Sequence, residues 1–318
     1  MHNKTLHVAT AYTNPMRWET RKRLMHTFLQ HMTASPNVSL HVGEAAYGDR
    51  AHEVTSSQRP NDLQLRTRHE LWHKENLLNL VIARFPADWE YGAFVDGDFT
   101  MSRHDWALEA IHQLQRYDFV QLFSTYADLD TEHRPYRLMQ GFALNHLSGS
   151  LRNMRGCPVY GSKSPGATGG GWAFRREAFN TVGGLLDTCI VGSADWHMAF
   201  GLIGKSHAGS ETKSCSSAYI RSILNWQRRA GALKANIGYI QNHAIHHFHG
   251  SKVNRFYGER WRILHDNNFD PETDIHRDSA GLWQLSGNKP RLRDELRGYF
   301  HARNEDDPCL HAHEKVLV

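Results

Sequence analysis

Two periods of apolar residues run along this chain, and the switches between them mark its elements. Leu6-His-Val-Ala-Thr-Ala-Tyr is a short apolar run closed by Thr13-Asn14-Pro15, the pattern of a buried strand and its loop. From Arg17 to Met32 the apolar residues Met25, Phe28, Leu29 and Met32 recur at helical spacing, and Pro36-Asn37 stops the helix. Val38-Ser-Leu-His-Val alternates as a second strand. Residues 48–68 are polar, contain Gly48 and Pro60, and read as one long loop. The spacing of Leu71, Leu78 and Ile82 predicts a helix from about His69 to Phe85, stopped by Pro86. Tyr91-Gly-Ala-Phe-Val then reads as a strand delivering Asp96-Gly97-Asp98. A helix carrying Ala107, Ile111 and Leu114 follows, and then a strand over residues 118–123.

Beyond residue 124 the periodicity weakens. Residues 125–168 read as an irregular insertion rich in Gly, Pro and Arg, and Thr168-Gly-Gly-Gly-Trp as a turn running into strand and helix. A last helix is expected from about Arg291 to Arg303, with 304–318 frayed. Strands alternating with helices predict an α/β fold: a mostly parallel sheet with helices on both faces. The chain of 318 residues can bury one large core with a terminal extension. The divisions expected are 1–124, 125–250 and 251–318.

Composition narrows the class. With 40% hydrophobic and 22% charged residues, bulk disorder is excluded. A net charge of +4 suits an anionic ligand or a nucleic-acid acceptor without selecting either. The 23 histidines raise the prospect of metal binding. Cys157, Cys189, Cys215 and Cys309 have no metal-ligand spacing, which points to a reduced cytoplasmic setting. Neither a signal-peptide core nor an apolar run of membrane-spanning length is expected.

Four local patterns carry chemistry. Asp96 and Asp98, two residues apart after a buried strand, project into the crevice where open α/β sheets bind ligands, and hard oxygen ligands there suit Mg²⁺ or Mn²⁺. An Asp-x-Asp after a strand is also an ordinary polar turn. In His246-His247-Phe248-His249-Gly250-Ser251-Lys252, an extended backbone puts His247 and His249 on one face, where either or both can complete the metal site. Lys252, Arg255 and Arg260 then lie nearby as phosphate partners. Asp195, followed by Trp196, can act as general base toward an acceptor hydroxyl; alternatively Ser193 or Asp195 caps a helix. Gly169-Gly170-Gly171 permits close backbone approach to a ligand, with Trp172 as a stacking platform. Lys74 and Asn79, on the helix before the acidic motif, can reach a nucleotide.

In this order the motifs resemble the GT-A glycosyltransferases. The resemblance runs through Thr10 to Arg17, His73-Lys-Glu-Asn-Leu-Leu-Asn79, Asp96-Gly97-Asp98, Gly169 to Trp172 with Asp195, and His247-Phe-His-Gly250. Over residues 5–306, notably in Trp72-His-Lys-Glu-Asn-Leu-Leu-Asn79, His247-Phe-His-Gly-Ser-Lys252 and Tyr299-Phe-His-Ala-Arg-Asn-Glu-Asp306, the chain also resembles uncharacterised glycosyltransferases of phage genomes. The resemblance implies a Rossmann-like GT-A sheet with a C-terminal helical extension, its first half binding a nucleotide-sugar and its second half the acceptor. It implies a nucleotide-sugar donor, UDP being the usual nucleotide, and Mn²⁺ or Mg²⁺ held by Asp96, Asp98 and a histidine. Donor-binding positions carried over are Thr10, Tyr12, Thr13, Asn14, Arg17, Lys74, Asn79, Asp96, Gly97 and Lys252. Acceptor positions are Gly170, Gly171, Trp172 and Trp196, with Asp195 as base.

The His-x-x-Gly pattern of retaining members favours His247, but Ser251-Lys252-Val253 departs from the Lys-Pro-Trp that follows there, so His247 and His249 both stay open. Ala194 stands where inverting members often have an acidic residue. For the acceptor, a hydroxymethylated cytosine in DNA, reached by base flipping and held by Arg-rich segments 221–229 and 255–262, stands beside a surface glycan or protein. A metal-dependent phosphohydrolase and a nucleic-acid-binding module are the readings from other classes.

Overall fold

The computed structural model describes residues 4–153, 165–206 and 214–308. Strand β1 (Leu6–Thr13), helix α1 (Glu19–Ala34), β2 (Val38–Tyr47), β3 (Asp62–Thr67), α2 (Lys74–Ile82) and β4 (Tyr91–Val95) form the first half. Next come β5 (Phe99–Met101), α3 (Trp106–Leu114), β6 (Phe119–Gln121), β7 (Thr125–Leu129), β8 (Pro135–Gln140), α4 (Phe142–Leu147), β9 (Gly171–Arg175) and α5 (Arg176–Val182). The rest is α6 (Ala194–Leu202), α7 (Ser217–Ala230), β10 (Ile237–Tyr239), β11 (His243–His246), α8 (Trp261–Asp266), β12 (Ile275–Arg277), β13 (Trp283–Leu285) and α9 (Pro290–Ala302).

Seven strands form the central sheet in the order β10-β6-β9-β4-β1-β2-β3. All neighbours pair parallel except β9, which runs antiparallel to both β4 and β6. The sheet is mostly parallel and covered on both faces, as the alternation of strands and helices predicts. Side-chain period 2 divides the core between those faces. Leu6 and Val8 of β1 and Ala93 and Val95 of β4 pack with Met25, Phe28 and Met32 of α1 and Trp106 and Ile111 of α3. Ala9 and Phe94 point the other way, toward Leu78 and Ile82 of α2, Phe179 of α5 and Trp226 of α7.

Two departures from the sequence expectation concern polar strands. β3 lies inside the stretch read as a long loop; it is an edge strand beside β2, partly exposed along most of its length, so it carries few apolar markers. β7, β8 and α4 lie inside the stretch read as irregular. With β5 and β11 the strands β7 and β8 make a second, four-stranded sheet in the order β5-β11-β7-β8. The helix expected from His69 begins at Lys74, leaving Leu71 to His73 as the loop leading into it.

The C-terminal segments fold back over the N-terminal half. Asn76 of α2 ties to the β12–β13 hairpin through the Gly281 carbonyl and the Trp283 amide. Tyr299 and Phe300 of α9 pack with Trp18 beside α1, and Asp306 accepts from the Glu19 and Thr20 amides at the start of α1 at 3.0 and 2.8 Å. No helix among the described residues is long and apolar enough to cross a membrane.

Candidate functional site

At the carboxyl edge of β1 and β4 the two sheets part around a cavity of about 280 Å³. Crevices at this edge are where open α/β sheets bind ligands. β1 contributes Tyr12 and Thr13, the turn after β4 contributes Asp96 to Asp98, and β11 with the turn after it contributes His246 and His249. The amino end of α2 brings Trp72 to Glu75, and that of α6 brings Ser193, Asp195 and Trp196.

The tightest cluster is Asp98 with His246 and His249. His249 Nε2 lies 2.8 Å from Asp98 Oδ2, His246 Nε2 lies 3.7 Å from the same oxygen, and the two Nε2 atoms are 3.2 Å apart. Each ring is held from behind by a carboxylate. His246 Nδ1 is 2.6 Å from Asp128 Oδ1, and His249 Nδ1 is 3.6 Å from Glu305 Oε2. A carboxylate at Nδ1 keeps that nitrogen protonated and turns the Nε2 lone pair outward. Two such lone pairs and a carboxylate oxygen then face one point, while Asp98 Oδ1 is buried without a hydrogen-bond partner. A divalent ion at about 2.1 Å from each ligand has ligand atoms about 3 Å apart, so the residues present fit one. Burial works to raise the Asp98 carboxyl, but His249 and His246 outweigh it and hold it well below the usual carboxylate range. Arg255 Nη2 also reaches His249 Nε2, at 2.7 Å.

Asp96 faces elsewhere. Lys74 Nζ lies 2.9 and 3.1 Å from its two oxygens, and its amide donates to the Gly170 carbonyl at 2.8 Å. Burial alone would lower the Lys74 ammonium; Asp96 and Glu75 reverse that and raise it overall. Glu75, 2% exposed, has Lys74 Nζ at 3.6 Å and is pushed up to about 7 by burial. Asp195, in the first turn of α6, accepts from Thr168 Oγ1 at 3.3 Å. Gly169 makes room for it, since a Cβ there would stand 2.6 Å from Asp195 Oδ2. Gly170 adopts φ +89°, a backbone that side chains resist. Ser193 stands at the N-cap of α6, but its hydroxyl takes Arg260 Nη2 instead of capping the helix.

A belt of buried charge backs the histidines. Glu305 bridges Arg21 and Arg303, each at 2.6 Å, and Lys252 pairs with Asp128. Arg260 and Arg303 both donate to the Tyr299 hydroxyl. Arg137 of β8 adds a further cation to the lining.

Of the residues singled out in the sequence, Tyr12, Thr13, Lys74, Asp96, Gly97, Asp98, Gly169, Gly170, Ser193, Asp195, Trp196, His249, Lys252, Arg255 and Arg260 line the cavity. Others lie outside it. Thr10 and Asn14 are buried behind it, Asn14 bonded to Tyr12, Trp18 and Glu53, and Arg17 is exposed. Asn79 ties α2 to the Leu185 backbone. Gly171 and Trp172 belong to β9, the Trp172 ring buried in the core with its N–H on the Thr168 carbonyl. The extended alternation over 246–249 stops at the end of β11, so His246 and His249, three apart across a turn, meet at Asp98, while His247 turns to the Thr100 hydroxyl at 3.1 Å. Trp72, Glu75, Asp128 and Glu305 carry no expectation from sequence. The first two were within reach, because both fall in Trp72-His-Lys-Glu-Asn-Leu-Leu-Asn79, a stretch that carries the resemblance.

No family model matches this chain, and no curated protein matches it. Among solved structures, it is similar to a protein from Desulfovibrio desulfuricans G20 assigned as a nucleotide-diphospho-sugar transferase, at 10% identity over 84% of this chain and 96% of that one, with a TM-score of 0.34. It is similar also to the catalytic domain of Drosophila β1,4-galactosyltransferase 7 in complex with xylobiose, at 11% identity over 91% and 97% of the two chains, with a TM-score of 0.33. Likeness at this level leaves the chemistry to the residues themselves.

Proposed function

We propose that this chain is a metal-dependent glycosyltransferase of GT-A type, moving a sugar from a nucleoside-diphosphate donor to an acceptor hydroxyl. The observation that carries the reading is the convergence of Asp98, His246 and His249 on one point of a cavity whose other wall presents Asp195. When bound there, a divalent ion supplies positive charge to a departing diphosphate. Lys252 and Arg255 stand beside the histidines and Arg260 beside Ser193; all three line the cavity and suit phosphate oxygens. Tyr12 and Thr13, at the mouth of β1, suit the nucleoside, and UDP enters through the resemblance. Asp195 is the group to take the acceptor proton as the new C–O bond forms and the donor's C–O bond to diphosphate breaks. Lys74, held between Asp96, Glu75 and Asp195, keeps these carboxylates in place and limits their repulsion.

The test is nucleotide release from a panel of UDP- and GDP-sugars with Mn²⁺. Release abolished by EDTA, by Asp98→Ala and by Asp195→Asn is the expected outcome. Release that survives Asp98→Ala would overturn the assignment of the metal site, and no release from any donor would overturn the transferase reading.

A further inference from the structure

One wall of the cavity differs in chemistry from the histidine cluster. The amino ends of α2 and α6 converge there and bring two indoles, Trp72 and Trp196, beside two carboxylates, Glu75 and Asp195. Trp72 is fixed in place: its ring lies nearly parallel to Phe300, with centroids 6.5 Å apart and planes 15° apart, and the Arg303 guanidinium sits 5.0 Å from its centroid. Trp196 leans on Phe200 at 4.6 Å. Glu75 is almost wholly buried, pairs with Lys74 at 3.6 Å, takes a hydrogen bond from its own backbone amide, and still borders the cavity, where a ligand's hydroxyl or amine can reach it.

Rigid aromatic walls with a few fixed polar groups are how a protein takes up a ring that has one apolar face and a hydroxylated edge. Lys74, Arg260 and Arg303 offset the Glu75, Asp195 and Asp96 carboxylates here, so it is the pair of indoles, not net charge, that sets this wall apart. In the arginine segments 221–229 and 255–262, Arg221, Arg228, Arg229 and Arg262 are exposed, and the others make contacts within the protein. Arg255 and Arg260 are buried in the cavity lining, Arg229 donates to the Val182 carbonyl at 2.7 Å, and Arg221 pairs with Glu272 at 3.0 Å.

We propose that Trp72, Glu75 and Trp196 form the acceptor subsite and that the acceptor is a neutral carbohydrate, its ring against the indoles and its hydroxyls on Glu75 and Asp195. The proposal rests on the glycosyl-transfer reading for the word acceptor; as a carbohydrate-binding site it stands without it. Trp72 and Trp196 are placed to bind and orient, and Glu75 to select, while the proton transfer stays with Asp195.

The experiment reads binding, not turnover. Saturation-transfer NMR on the full chain with diamagnetic Mg²⁺ and UDP is run against a mixture of methyl β-glycosides of common pyranoses, and separately against a hydroxymethylcytosine-containing oligonucleotide. Saturation of at least one glycoside is expected. Trp72→Ala should weaken it roughly tenfold or more, and the isosteric Glu75→Gln, which spares the fold, should do so to a similar degree. UDP affinity by calorimetry should stay within a factor of about three in both variants, which also reports that the variants are folded. Binding of the oligonucleotide without any glycoside would overturn the proposal in favour of a nucleic-acid acceptor. So would glycoside binding indifferent to both substitutions, or a loss of UDP affinity in both, which would make this wall part of the donor site. Glycoside binding with no UDP binding would keep the subsite and overturn the transferase reading instead.

Discussion

Lys74 holds both oxygens of Asp96, at 2.9 and 3.1 Å, while Asp98 two residues later turns to two imidazoles. One short motif therefore splits its two carboxylates between a lysine and a candidate metal position. Asp98→Ala is expected to weaken Mn²⁺ binding by roughly a hundredfold or more, and Asp96→Asn by less than about tenfold. Asp128→Asn, which loosens His246 from behind, should fall between them. Two nitrogens and one oxygen also favour Mn²⁺ or Co²⁺ over Mg²⁺. Electron paramagnetic resonance of free Mn²⁺, titrated with protein and competed with Mg²⁺, measures all of this without any turnover. Equal losses in the two aspartate variants would contradict the split.

Glu305 is 2% exposed and faces Arg21, Arg303 and His249 together. Replacing it with Ala leaves the fully buried Arg303 uncompensated, a change that typically costs about 3–5 kcal/mol. The expectation is a large drop in the urea midpoint with the slope unchanged. Asp306→Ala, which removes only the acceptor at the start of α1, should cost about 1 kcal/mol. Similar midpoints for the two variants would show that Glu305 is not the organising charge described here.

Three buried histidines set a pH dependence of stability. Burial pushes His41, His73 and His197 each down to about 4. Unfolded, each takes a proton near pH 6.5. Between those values the unfolded chain binds more protons than the folded one, so stability falls as pH is lowered from about 6.5 toward 4. Each group contributes up to about 1.4 kcal/mol per pH unit in that window. Urea midpoints at pH 7 and pH 5 should differ clearly, and His41→Gln should shrink the difference. A midpoint flat between those pH values would mean that the three rings are charged in the folded protein.

Legibility in the sequence followed distance along the chain. Asp96-Gly97-Asp98 could be read because a buried strand, a turn and two acidic residues are neighbours. The layering of the central sheet was legible for the same reason, each strand and helix carrying its own period. His246 was passed over because strand alternation assigns it to the opposite face from His249, and only the end of β11 at His246 brings the two together. Trp172 looked like a platform beside its glycines, but β9 runs antiparallel between β4 and β6 and buries that ring. β3 and β8 were hidden because exposed edge strands have polar sequences. Glu305 falls in the Tyr299–Asp306 stretch of the phage resemblance, but nothing local gives it a role, since its partners lie on α1, near α9 and after β11.

The link between Arg21 and Glu305 spans 284 residues. During synthesis, then, α1 emerges early and its amino end, the Arg21 guanidinium and later the His249 ring must all wait for a segment made long afterwards. Until residues 303–306 arrive, the nascent chain can lay down much of its sheet but cannot brace the imidazole that faces Asp98.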